Sequence, residues 1–223
     1  MSEIRRIEKK GIMYRIIKDD TTGAIFAAAA YPIYRNMTDL RIEGSVDNIP
    51  VTAIESGAFA QLPKLRRVIV CCRKTLYVED AAFANCPNLR EIHFQGDNTI
   101  LGSEAFRDCP ELTEVWSFHK IQLLGRNIFK SCAKKISMVA DISEIGNYAF
   151  LWAPEFKTLF VADNARLHAS SMVGLQADCI SFHGNIELIG NASFDMLYPY
   201  KMTCKKGTHL EDLFYLGMDV VAR

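Results

Sequence analysis

Ala82-Phe83-Ala84-Asn85-Cys86-Pro87-Asn88-Leu89-Arg90-Glu91-Ile92-His93-Phe94 is the stretch that decides the fold, because the rest of the chain repeats it. Ala58-Phe59, Ala105-Phe106, Ile128-Phe129 and Ala149-Phe150 restate its opening pair, and Ser171-Met172 and Ser193-Phe194 continue the series in weaker form. The second residues of these pairs fall 24, 23, 23, 21, 22 and 22 apart. Five residues before each landmark stands an aliphatic side chain: Ile54, Val78, Leu101, Leu124, Ile145, Leu167 and Ile189. Three residues after it stands a small or apolar one: Leu62, Cys86, Cys109, Cys132, Ala153, Leu175 and Leu197. Then comes a stretch alternating apolar with other residues, such as Leu65-Arg66-Arg67-Val68-Ile69-Val70, which is the strand period. About 22 residues suffice for a strand, a turn and a short return. Such a unit cannot bury its apolar face alone, and stacking the units joins those faces into one core. The landmark phenylalanines are therefore expected to form an interior ladder, and the later units, in which Ile136 falls one position late and Cys179-Ile180 one early, to be locally irregular while keeping the stack.

A period near 22 lies in the range of roughly 20–29 residues used by leucine-rich repeats. The expected fold is a repeat solenoid, a leucine-rich-repeat right-handed superhelix that is mainly β with short helical or irregular returns. Ile54-Glu55-Ser56-Gly57-Ala58-Phe59, Ala82 to Ile92 and Ile145-Gly146-Asn147-Tyr148-Ala149-Phe150 resemble the BspA-type leucine-rich repeat, which joins an I-G-x-x-A-F step to x-x-C-x-x-L-x-x-I. The resemblance covers residues 51 to about 204 as seven units. It implies a bacterial or protozoan cell-associated protein, often secreted and sometimes an adhesin, that binds other proteins and has no catalytic residues.

Residues 1–50 lack the repeat and are expected to form a β-rich cap, since an end unit leaves its core face open. Gly11 to Ile17, the turn Asp19-Asp20-Thr21-Thr22-Gly23 and Ala24 to Ala27 read as a hairpin, although Phe26-Ala27-Ala28-Ala29-Ala30 favours helix by propensity. Residues 205–223, with Leu210-Glu211-Asp212-Leu213-Phe214, are expected to be a degenerate repeat or a closing cap.

Lys+Arg and Asp+Glu both number 26, so the chain lacks the basic excess of a nucleic-acid binder. The apolar run Ala24 to Tyr31 is too short to span a bilayer, so no membrane insertion is expected. Met1 to Lys10 is charged and has no apolar leader core. A cytoplasmic location is the expectation for the sequence as it stands, and the surface or secretion if a leader has been removed.

No chemistry-bearing pattern rises above its structural alternative. Cys86, Cys109 and Cys132 recur at one repeat position, but Leu62, Ala153, Leu175 and Leu197 occupy the same place, so buried small hydrophobes are expected. Cys71, adjacent to Cys72, is the one candidate reactive thiol, and no CxxC spacing suggests zinc. His93, His119, His168, His183 and His209 form no HxxxH or HExxH pattern, and no P-loop, GxSxG or GxGxxG is present. Neither an enzyme nor a cofactor is expected. The informative feature is the alternate strand face. With Val68, Ile92, Val115 and Leu159 inward, Ile69, His93, Trp116 and Phe160 point outward, followed by Cys71, Gln95, Phe118 and Ala162. Ile69, His93, Trp116, Phe118 and Phe160 are the candidate residues for binding a protein partner, since exposed apolar groups mark interfaces. Self-association through the open ends or the strand face is the alternative.

Overall fold

The computed structural model describes residues 1–190, together with the backbone of 202–204 and 220–222. The chain opens with three antiparallel strands, β1 (Ser2–Lys9), β2 (Ile12–Lys18) and β3 (Ile25–Pro32). The alanine run is strand, not helix, because Ala27 and Ala29 alternate into the core, paired with Ile16 and Tyr14, while Ala28 between them pairs with Arg15 on the other face. The β2–β3 turn closes through a hydrogen bond from the Gly23 N–H to the Asp19 carbonyl at 2.7 Å. The Asp19 carboxylate accepts from the Thr21 hydroxyl and from the Thr21 and Thr22 N–H groups, which hold its pKa down at about 2.

From there each coil lays down two short parallel strands separated by a corner. The first ladder stacks β4 (Asp39–Ile42) on a later strand of the same phase, and a two-residue strand, β5 (Ser45–Val46), turns antiparallel into β6 (Ile49–Ile54). The following coils supply β7 (Arg67–Val70) and β8 (Thr75–Val78), then β9 (Glu91–Phe94) and β10 (Asn98–Leu101). In the later coils the two strands fuse across the corner into β11 (Glu114–Leu123), β12 (Lys135–Ile145) and β13 (Glu155–His168). After these come β14 (Gln176–Phe182), β15 (Ile186–Ile189), β16 (Met202–Cys204) and β17 (Val220–Ala222). The first ladder runs β4, β7, β9 and the leading part of β11 in parallel, continuing through β12, β13 and β14. The second runs β3, β6, β8, β10 and the trailing part of β11, continuing through β12, β13 and β15. Both ladders thus begin inside the first 50 residues.

The third side of each coil is the Ala-Phe return. No helix occurs there among the described residues; the returns are turns stacked on turns. The Phe59, Phe83 and Phe106 N–H groups donate to Ala82, Ala105 and Ile128 of the next coil at 2.8, 2.9 and 3.0 Å. These bonds satisfy backbone groups that an isolated turn would leave to water. Phe59, Phe83, Phe106, Phe129 and Phe150 are all fully buried, as the ladder requires, and Met172 continues them. Ser193-Phe194, Leu197 and the cap expected over residues 205–223 lie outside the described residues, apart from the strand backbone at 220–222.

Two expectations fail locally. Leu124 is 40% exposed, and Leu123 takes the core place, in register with Leu101 and Ile145. Gly125 lies so close under Gly102 that a Cβ on it would come within 2.0 Å of the Gly102 carbonyl carbon, which fixes the bend after Leu123. Ala162, expected outward, is buried, because β13 bends at the corner and alternation restarts there.

Candidate functional site

Alternation holds along the first ladder: Val68, Ile92, Val115 and Leu159 are buried. Their neighbours therefore face out. Parallel pairing places Arg41, Ile69, His93, Trp116 and Val139 side by side in one row across successive coils. Trp116 is 37% exposed and Val139 36%, while Ile69 and His93 are half-buried. The His93 and Trp116 rings lie 6.0 Å apart, tilted at 39°, so the indole rests against a ring that restricts its rotamers. A charged row, Asp39, Arg67, Glu91 and Glu114, runs alongside. Within it Arg67 donates to Glu91 at 2.5 Å, and the second Glu91 oxygen lies 3.3 Å from His93 Nε2.

The structure brings Ile69, His93 and Trp116 together but sets the other two candidates apart. Phe118 is 65% exposed at the bend of β11, between the segments that pair on each ladder. Phe160 pairs opposite Asp141 and Ser181, half-buried, with its ring 5.5 Å from His183. Val139, not expected from the sequence, completes the row. The late position of Ile136 hid its phase, although the alternation Ile136, Met138, Ala140 inward was there to read.

The cysteine ladder is structural. The thiols of Cys86, Cys109 and Cys132 donate to the carbonyls of Phe59, Phe83 and Phe106 at 3.2, 3.2 and 3.1 Å. Each thiol thereby ties its own coil to the landmark of the preceding one. Burial pushes the Cys132 thiol up to about 12, and the neighbouring Cys86 together with burial pushes Cys109 up. The half-buried Cys71 is also raised, chiefly by burial, which opposes the thiolate character a nucleophile needs. Among the described residues no three His, Cys, Asp or Glu side chains are placed to hold a metal ion.

Stacked coils of two parallel strands and one tight return, with a phenylalanine at the return and a cysteine three residues on, define a leucine-rich-repeat solenoid. The BspA type leucine rich repeat region matches residues 33–157 in six copies, more than half of the chain, and the protein belongs to that family. Among solved structures, a leucine rich cell surface protein from Faecalibacterium prausnitzii A2-165 is similar at 16% identity, with a TM-score of 0.54. The match covers 91% of this chain and 55% of that one, so this chain spans about half the length of the Faecalibacterium protein. The leucine rich repeat protein of T. pallidum is also similar, at 16% identity and a TM-score of 0.42, over 97% of this chain and 98% of that one. The Faecalibacterium likeness concerns the fold alone. A comparison with curated proteins returns no match.

Proposed function

We propose that this protein is a non-catalytic scaffold that binds a protein partner through the outward row of its first strand ladder. The observation that carries the reading is the in-register row Ile69, His93, Trp116 and Val139, flanked by charged residues. An apolar centre with an aromatic anchor and a polar rim is the anatomy of protein interfaces. The test is capture from source-cell and host-cell extracts on immobilised protein, with bound species identified by mass spectrometry. Wild type is compared with Trp116→Ala and, separately, Phe160→Ala, each first shown to keep its thermal midpoint. A protein retained by wild type and lost with Trp116→Ala supports the strand row. Equal retention by both rejects it.

Self-association is the second reading, favoured by apolar groups on other sides: Tyr77 is 53% exposed and Trp152 70%. A mass that rises with concentration in light scattering, and that Trp116→Ala leaves unchanged, would favour it. Surface display is part of the proposal, because the similar Faecalibacterium protein is described as a cell surface protein. Protease applied to intact source cells would remove a displayed protein and spare a cytoplasmic one.

A further inference from the structure

At the corner between the two ladders, near the amino-terminal end, lies a groove of about 740 Å³. Four cations line it, Lys9, Arg41, Arg73 and Lys74, against one carboxylate, Glu43. That carboxylate is already engaged: Lys10 bonds it at 2.5 Å and Arg41 lies 3.5 Å away. Lys10 first, and Arg41 with it, holds the Glu43 carboxyl below its ordinary range, so it stays ionised and paired. Arg73 and Lys74 are exposed and have no carboxylate at ion-pair distance among the described residues. The chain as a whole carries 26 cations and 26 carboxylates, so this excess is local. Unneutralised like charges around one concavity repel, and an anion relieves that repulsion.

The groove is also rigid. A Cβ on Gly44 would come within 2.4 Å of the Cys71 carbonyl oxygen, and one on Gly96 within 2.8 Å of the Cys72 carbonyl oxygen. The two glycines let successive coils stack backbone to backbone at this corner, so the lining side chains rise from a fixed floor. The groove is continuous with the strand row, because Arg41 lines the one and pairs in register with Ile69 of the other.

We propose that this groove takes an acidic segment of the protein partner, an extended stretch rich in Asp and Glu whose apolar residues continue onto Ile69, His93 and Trp116. The inference rests on the binding reading above and names the partner's chemistry. A polyanionic sugar suits the groove less well. No aromatic ring lines it to carry a sugar face, and a sugar has no apolar continuation for the row.

The experiment is fluorescence anisotropy of a fluorescein-labelled hexaglutamate peptide titrated with the full chain at low salt. Wild type is compared with Arg73→Glu/Lys74→Glu and with the equally charged control Lys64→Glu/Lys157→Glu, after circular dichroism shows equal melting. The expected result is binding by wild type that the groove variant weakens by at least about tenfold, through lost charge-assisted contacts. The control variant should change it less than about twofold, and about 0.5 M salt should abolish it. No binding by wild type, or equal loss in both variants, overturns the proposal. A heparin-derived sulfated disaccharide bound at the groove in place of the peptide overturns it in favour of an anionic glycan. Hexaglutamate has no apolar residues, so Trp116→Ala should leave its binding unchanged. Failure of the groove and failure of the row are then separate results.

Discussion

Around every landmark from Phe59 to Met172 the backbone turns left-handed twice, two residues before and two after. Ala81 and Asn85 flank Phe83, Glu104 and Asp108 flank Phe106, and Asn127 and Ser131 flank Phe129, all with φ between 54 and 59°. Gly57 and Gly174 hold the same conformation at the first and last described returns. For a side chain with a Cβ this region costs about 1–2 kcal/mol. The return keeps it because the N–H groups freed by the turn reach the next coil, as from Asn85 to the Arg107 carbonyl at 2.8 Å. Ser131 is exposed and its backbone N–H donates to the Trp152 carbonyl at 3.3 Å, while its side chain makes no hydrogen bond among the described residues. Ser131→Gly should relieve the strain against an added unfolded-state entropy of about 0.4–1 kcal/mol, a net gain of about 0.5–1 kcal/mol. A raised urea midpoint at unchanged slope would show it; a lowered midpoint would mean that entropy outweighs strain here. The landmark residues were legible in the sequence and their flanking geometry was not. Asn and Gly announce a left-handed turn, but Ala81 and Glu104 adopt it because their N–H groups reach the Ser103 and Arg126 carbonyls of the next coil.

The phenylalanine column shows how elements share one core. Phe59, Phe83, Phe106 and Phe129 stack with centroids 5.6, 5.7 and 5.6 Å apart and planes within 15° of parallel. The stack then changes hand-over. Phe156 of β13 inserts edge-on, 5.6 Å from Phe129 and 5.3 Å from Phe150, at 77° to each. Phe156 stands six residues after Phe150, the place that Leu65, Leu89 and Leu112 hold after their own landmarks, so a ring fills the space that a leucine fills in the earlier coils. Phe106→Ala should cost about 3–5 kcal/mol, since rigid stacks on both sides cannot collapse into the hole. Leu124→Ala, at the exposed position, should stay within about 0.5 kcal/mol. Thermal or urea unfolding of the two variants decides it, and an unchanged midpoint for Phe106→Ala would sink the column as a source of stability. The sequence could not separate Leu123 from Leu124, because both are aliphatic and only the depth of the bend at Gly125 selects one. The strand row was legible in part for a related reason. Ile69, His93 and Trp116 keep one phase, whereas Phe118 and Phe160 stand where strands bend and the count of two breaks.

At the scale of the whole molecule, the repeat made the solenoid legible, but not its two parallel ladders, since in β8 and β10 only the closing Val78 and Leu101 recur in phase from coil to coil. In a stack of this kind each coil touches only its neighbours, so stability adds along one dimension and falls at the ends. β1 shows what an end looks like. Among the described residues it pairs with β2 alone, is mostly exposed, and carries Glu3, Arg5, Arg6 and Glu8 along the edge, which discourages another strand from adding to it. β9 and β10, by contrast, are each paired on both sides, β9 by β7 and β11 and β10 by β8 and β11. Amide hydrogen exchange should follow that gradient. The amides of β9 and β10 should open only with global unfolding, which for a domain of this kind costs about 5–15 kcal/mol, whereas those of β1 should exchange by local fraying at far lower cost. Phe106→Ala should then speed exchange in β9, β10 and β11 and leave β1 unaltered, because opening at an end does not require opening at the centre. If β1 instead exchanged as slowly as β9, and both accelerated together in the variant, the stack would unfold as one cooperative body and the nearest-neighbour account would be wrong.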